Sequence, residues 1–189
     1  MAKRPSNKFV RKAIREIIEP ELKKYGFEGK YPHFKRITDT EIHFFDFHTA
    51  KYGGSFGYTV GWCRNRPLNH WDERWIQPDE IEMQHLPFEN RASVSRMVDM
   101  WRLTGEKFRA TLGGFDYTLI VEDENACREL VREAAETLPQ AMAWLATRQP
   151  QDAISAVGHR PPPAQSRELT LEISRNREEN RLRSLGLID

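Results

Sequence analysis

The chain is poor in the residues and runs that would place it in several large functional classes. Its 189 residues include two cysteines, Cys63 and Cys127, too few for a disulfide framework or a complete zinc site. Both are expected as reduced, half-buried thiols. No apolar run approaches the roughly 20 residues that cross a bilayer, so no membrane partner is expected. Ala2-Lys3-Arg4-Pro5 is basic, yet no apolar stretch follows it. That argues against a cleaved secretory signal and makes the cytoplasm the expected compartment. Neither charge is in surplus: 29 Lys and Arg stand against 28 Asp and Glu, so no overall basic field draws the chain to nucleic acid. A Gly-x-Ser-x-Gly elbow is absent, which leaves serine-hydrolase chemistry unsupported. Tyr52-Gly53-Gly54-Ser55 lacks the Lys-Ser/Thr ending and the following helix of a phosphate-binding loop.

What is present is aromatic and patterned. Hydrophobic residues make up 39% of the chain, enough for a core, while 30% are charged and keep much of the rest solvated. Between Ile42 and Trp62 two aromatic-rich segments flank a glycine pair, the pattern of a β-hairpin. Strands are predicted over about 33–38, 41–49 and 55–63, with turns at Thr38-Asp39-Thr40 and Lys51-Tyr52-Gly53-Gly54. Alternation puts Phe56, Tyr58, Val60 and Trp62 on one face of the third strand and Gly57, Thr59, Gly61 and Cys63 on the other. The small residues at 57 and 61 call for a closely covered face.

Two registers of the hairpin give different sites. In one, Asp46 faces Tyr58 and His48 faces Phe56. Slipped by one residue, Phe45 and Phe47 meet Tyr58 and Phe56, and Asp46 and His48 move to the reverse side. The second buries more apolar surface and is the expected one.

A first helix is predicted over 7–25, capped by Ser6 or Asn7, with Phe9, Ala13, Ile14, Ile17, Ile18 and Leu22 at helical spacing. Pro20 should kink or break it, Gly26 should end it, and Phe27 should fold back onto it. Ile81, Met83 and His85 alternate and predict a short fourth strand. Val94, Met97, Val98, Trp101, Phe108 and Leu112 form a stripe that predicts a second helix, stopped at Gly113-Gly114. Tyr117–Val121 reads as a buried strand. Asp123 should cap a helix over 123–147 whose apolar face carries Cys127, Leu130, Val131, Ala134, Leu138, Met142 and Leu145; Pro139 kinks it or starts a separate segment. The expected core is Ile14, Ile18, Leu22, Phe56, Tyr58, Val60, Leu119, Val121, Leu130, Val131 and Leu138.

These elements predict an α+β fold: an antiparallel β-meander sheet of four to five strands, packed by an N-terminal helix and a helix near residues 123–147. The domain is expected to span 6–148. Residues 149–165, with Pro161-Pro162-Pro163, read as a linker, and 166–189 as a charged helix or tail. The succession of a helix, Tyr25-Gly26-Phe27, Phe34-Lys35-Arg36, Phe45-Asp46-Phe47-His48 and Gly53-Gly54-Ser55-Phe56 resembles the bacterial domain-of-unknown-function family 4304 over about residues 7–147. The resemblance implies a helix ending in a Gly-Phe pair, an antiparallel meander and a terminal helix. It implies no catalytic residue. Some small solitary bacterial domains act as antitoxins or immunity partners, and that comparison is one of analogy.

The leading functional expectation is a non-catalytic protein-binding domain of the immunity or antitoxin kind, whose partner is a protein such as a toxin. The residues expected to bind are those of an acidic, tryptophan-bearing segment: Trp71, Asp72, Glu73, Trp75, Asp79, Glu80 and Glu82. Such a segment could cover a basic active site by charge complementarity. Nucleic acid is the weaker alternative, based on eleven Lys or Arg among residues 1–36 against four Glu, with Tyr31, Phe34, Tyr58 and Trp62 as stacking surfaces. A third reading is a hydrolase or metal-dependent enzyme built on Asp46 and His48 with Tyr58 across the hairpin. His43 lies on the opposite face of that strand, so a metal held by Asp46 and His48 would need a further ligand from a loop, such as His33, His70 or His85. No catalytic residue, metal or cofactor is the primary expectation.

Overall fold

The first helix begins after Asn7, where Ser6 Oγ accepts a hydrogen bond from the Lys8 N–H at 3.3 Å. It runs as α1 (Lys8–Ala13), a π-helical turn (Ile14–Ile18) and α2 (Glu19–Lys24). Pro20 explains the wide turn. It has no N–H to donate, and its ring clashes with a carbonyl four residues back in a regular helix. The Glu19 N–H reaches the Ile14 carbonyl instead, five residues away, and Pro20 is left at the start of α2. The helical path is widened where a kink or break was expected. It ends as expected: Gly26 adopts a φ of +79°, its N–H bonds to the Lys23 carbonyl, and the Phe27 N–H bonds to that of Leu22. Those paired bonds with a buried Phe27 form a Schellman cap.

This computed structural model describes residues 6–50, 53–69, 74–94, 96–99, 109–112 and 114–156. The chain divides into two compact units, Met1–Arg96 with Leu112–Val157, and Met97–Thr111 with Gly158–Asp189. The first unit is an antiparallel sheet with strands β1 (Glu28–Lys30), β2 (His33–Ile37), β3 (Glu41–Thr49) and β4 (Ser55–Arg64) in sequence order. Two further short strands are β5 (Leu68–Asn69) and β6 (Trp75–Ile76), which pair with each other. Beyond β4 the sheet continues with β7 (Arg91–Val94). The other short strands are β8 (Arg96–Asp99), β9 (Arg109–Leu112), β10 (Phe115–Asp116) and β11 (Ile154–Ala156). β8 pairs with β9, β10 pairs with β4, and β11 pairs with β7. The fold is α+β, as the sequence predicts, and short strands at its edges widen the sheet.

One face of the sheet carries Phe34, Phe45, Phe47, Phe56, Tyr58, Val60 and Ala92, all buried. Their rings stack or meet edge to face; Phe45 lies 4.4 Å from Tyr58, centroid to centroid. Buried Val10, Ile14, Ile18 and Leu22 of the first helix cover it. So do α3 (Glu124–Ala135) and α4 (Leu138–Thr147), through Leu130, Val131, Leu138, Trp144 and others. Asp123 caps α3, its Oδ1 accepting from the Ala126 N–H at 2.9 Å, and Pro139 stands in the first turn of a separate α4.

The reverse face holds a second apolar cluster of Ile42, Phe44, Cys63, Ile76, Ile81, Met83 and Leu86. Here the chain between β4 and β7 folds back over the sheet. Gly61 makes that approach possible: a Cβ there would come within 2.7 Å of Leu86 and 2.8 Å of Met83. At Gly57 the close neighbour is the His48 ring, 2.9 Å from such a Cβ.

Several predicted elements are replaced. The helix expected from Val94 to Leu112 is strand wherever it is described, as β7, β8 and β9; Trp101 and Phe108 lie outside the described residues. Ala92 and Val94 are buried while Arg91 and Ser93 are less so, a period of two that answers the open edge of β4. Tyr117–Val121 is not a strand: β10 ends at Asp116, and Thr118–Ile120 is a 3-10 turn. Asp116 Oδ1 accepts from the Thr118 N–H at 2.7 Å and ends the strand, so Leu119, expected in the core, is 98% exposed. Val121 is only partly buried. Ile81, Met83 and His85 do not form a strand; Met83–His85 is a 3-10 turn, held as the Glu82 N–H donates to His85 Nδ1. Within the stretch read as a linker, Ile154 is buried and β11 pairs with β7. The segment 166–189 lies outside the described residues.

Two substitutions test this packing by chemical denaturation. Leu130→Ala should cost about 2–5 kcal/mol, as a buried leucine against the sheet. Gly61→Val should cost about 1–3 kcal/mol by pushing Met83 and Leu86 off the reverse face. Wild-type stability in the glycine variant would show that the covering segment does not need that close approach.

Candidate functional site

Asp46 and His48 lie on the reverse face and Tyr58 on the helix-covered face. The β3–β4 ladder pairs Phe45 with Val60, Asp46 with Thr59, Phe47 with Tyr58 and His48 with Gly57. That is two residues from the register favoured by apolar burial, and a shift of two leaves every side chain on its expected face. Asp46, His48 and Tyr58 therefore do not converge. The Tyr58 phenol meets Thr137 Oγ1 at 2.6 Å, and burial raises its pKa. Both thiols are buried and their pKa values raised by that burial, Cys63 to about 11, which leaves neither suited as a nucleophile. Among the described residues no three His, Cys, Asp or Glu side chains gather as metal ligands. His70, Trp71, Asp72 and Glu73 lie outside the described residues.

Across the reverse face runs a polar row in register: His33 opposite Asp46, Asp46 opposite Thr59, Thr59 opposite Ser93. His33 Nδ1 is 3.1 Å from Asp46 Oδ2, and the Thr59 and Ser93 hydroxyls are 3.1 Å apart. Burial raises the Asp46 pKa against the opposing pull of His33. Asp46 also borders a cavity of about 280 Å³ between the β1–β2 edge and the Met83–His85 turn. Phe44, Ile81 and Met83 supply its apolar wall, and Glu28 and Glu82 its other carboxylates. Lys35 is held there with its Nζ on the Asp79 carbonyl at 2.8 Å. Asp79, Glu80 and Glu82 are exposed. Such a cavity can take an alkyl chain ending in a cation.

Trp75 borders a different cavity, of about 820 Å³, together with Arg64 and Arg66. Of the expected binding set, Trp75 and Glu82 thus border different clefts.

A further polar cluster has no sequence signature. His43 is the one buried polar residue among those described, 7% exposed. Arg36 donates to its Nδ1, at 3.2 Å from Nε and 2.7 Å from NH2, so the ring proton sits on Nε2 and donates to Glu41 Oε2 at 2.7 Å. Arg148, in the left-handed region at the end of α4, reaches the same oxygen at 2.7 Å and lies 4.1 Å from the Trp62 ring centroid. The cluster ties α2 to the sheet as well, because Arg36 NH1 donates to the Tyr25 carbonyl. These contacts join residues 25, 36, 41, 43, 62 and 148, and only the paired positions Arg36 and His43 were within reach of a register argument.

Burial lowers the His43 pKa from its ordinary value near 6.5, aided by Arg36 and Arg148 and opposed by Glu41. The unfolded chain then binds a proton more readily than the folded one. Stability from this residue is full above about pH 6.5 and is lost as the pH falls toward the lowered value. His48, set against Gly57, is lowered by burial in the same sense. Denaturation curves between about pH 7.5 and 5, roughly one pH unit above and one and a half below an ordinary histidine's pKa, should show stability falling with acid, and His43→Gln should flatten that slope. A slope unchanged by the substitution would show that the imidazole does not titrate against folding.

No curated protein and no solved structure matches the chain. A family model does match, over residues 18–144, from within the π-helical turn almost to the end of α4. The match takes in the aromatic sheet face, the polar row and both clefts, and on that evidence the chain belongs to the family described as Domain of unknown function (DUF4304).

Proposed function

We propose that the domain is a non-catalytic protein-binding module that recognises a basic protein surface. The observation that carries this reading is the cavity of about 280 Å³ bordered by Asp46, Glu28 and Glu82, beside exposed Asp79 and Glu80. A lysine or arginine of a partner would lay its methylenes on Phe44 and Met83 and its cation among the carboxylates. The surrounding charge would speed encounter and reject acidic partners. An immunity-type pairing, with the acidic segment over the basic active site of a toxin, is the specific form we propose.

The basic first helix supports a nucleic-acid reading less well. Lys12 is paired with Glu124 at 2.7 Å, and Arg11 and Arg15 lie over the Tyr31 ring.

Affinity capture from the source cells, with wild type and an Asp79→Asn/Glu80→Gln/Glu82→Gln variant in parallel, tests the proposal. Expected is a basic protein held by the wild type and bound at least about tenfold more weakly by the variant, with the difference shrinking as salt is raised. Equal capture by both would reject the acidic surface as the binding face.

A further inference from the structure

We propose that the cleft beside the end of β4 binds an anionic ligand that carries a planar aromatic ring, in chemical class a nucleotide. β7 pairs with β4 over Thr59–Gly61, so from Trp62 to Arg64 that edge of β4 has no strand beside it among the described residues. The gap between this edge and the β5–β6 ladder is a cleft of about 820 Å³. Sites for small organic ligands measure about 300–1,000 Å³.

Trp75 supplies the ring-binding element. In the β5–β6 ladder Leu68 faces Ile76, and Asn69 faces Trp75. Ile76 is buried in the second core and Leu68 packs against it, so alternation turns Trp75 the other way. Its indole is 64% exposed and borders the cleft. An exposed indole at a ligand-sized opening can serve as a stacking platform.

Arg64 and Arg66 supply the charge. Among the described residues neither makes a side-chain hydrogen bond or ion pair, whereas Arg36, Arg128, Arg132 and Arg148 all have partners. Asn65 between them is anchored, its N–H on the Thr40 carbonyl at 2.9 Å and its Nδ2 on that of Thr38 at 2.8 Å. Two guanidinium groups on an anchored segment suit the oxygens of a phosphate. Among its described lining residues the cleft has these two arginines and no carboxylate, whereas three carboxylates border the other cavity beside Lys35 and His33. The amides of Asn69, Gln77 and Asn90 can both donate and accept, which suits the edge of a base. None of these residues belongs to the acidic surface, so this site and the protein-binding reading stand or fall separately.

The test is calorimetric titration of the full chain with adenosine monophosphate, against adenosine and ribose 5-phosphate as its two halves. Expected is binding of the nucleotide at least about tenfold tighter than of either half. Arg64→Ala/Arg66→Ala should lose the phosphate share and bind the nucleotide no better than adenosine. Trp75→Ala should lose the ring share and bind it no better than ribose 5-phosphate. All three positions border solvent, and unchanged thermal unfolding confirms that the variants fold. A short single-stranded oligonucleotide that outcompetes the mononucleotide would identify a nucleic-acid strand as the source of the same chemistry. Nucleotide binding no tighter than that of ribose 5-phosphate, or undiminished in the double arginine variant, would overturn the proposal.

Discussion

Phe47 faces Tyr58 and Phe45 faces Val60 across the β3–β4 ladder, and the parity of that pairing decides which side chains of the sheet lie inside. A slip of one residue would bring Asp46 and His48 under the first helix and expose the phenylalanines. Burying an unpaired carboxylate in an apolar layer costs several kcal/mol, far more than any gain from the slipped contacts. The connection enforces the same answer. Ala50 N–H bonds to the Ser55 carbonyl, and Gly53 and Gly54, with φ of +80° and +88°, return the chain over the four residues between. Loop length and aromatic burial thus select one register.

The same alternation creates a demand on the reverse face. Ile42, Phe44 and Cys63 point there and cannot remain in water, so the chain over 75–86 returns to cover them. It does so with Ile76, Ile81, Met83 and Leu86 turned inward. Trp75, Asp79, Glu80 and Glu82 are consequently turned outward. Both clefts are bounded by this covering segment. The features that invite a ligand arise where an irregular stretch satisfies a packing requirement of the sheet.

Legibility of the sequence followed the range of the interactions. The first helix, the strands over 33–37, 41–49 and 55–64, and the helices after Asp123 depend on local period and caps, and their residues announce them. The register differs by two residues from the one aromatic burial favours, because burial alone takes no account of the length of the turn. From Val94 onward the spacing of apolar residues is helical, but Arg91–Ser93 pair with β4, Val94 pairs with Ile154 of β11, and β8 pairs with β9; the partners of β7 lie about thirty to sixty residues away and leave no local trace. Leu119 was misplaced for a local reason, the Asp116 side chain closing a turn onto Thr118. At the candidate sites, residue types were readable and their grouping was not. Trp75 neighbours the acidic residues in sequence, whereas two-residue alternation in β6 turns it to the cleft of Arg64 and Arg66.

That grouping matters because charge acts locally. A formal net charge of +1 argues against attraction of polyanions by the molecule as a whole. A bound ligand, however, responds mainly to charges within a Debye length, about 8 Å at physiological salt. Within that range the two clefts differ in sign, one bordered by Glu28, Asp46 and Glu82 against Lys35 and His33, the other by Arg64 and Arg66 with no carboxylate among its described lining residues. Balance in the composition therefore does not imply neutrality at any site. A chain with equal numbers of both signs can present one surface to cations and another to anions, provided its fold keeps the two sets of side chains from neutralising each other. Here the inward-facing apolar residues of the covering segment fix its backbone on the sheet, and alternation then sends Trp75 and Glu82 outward to different clefts.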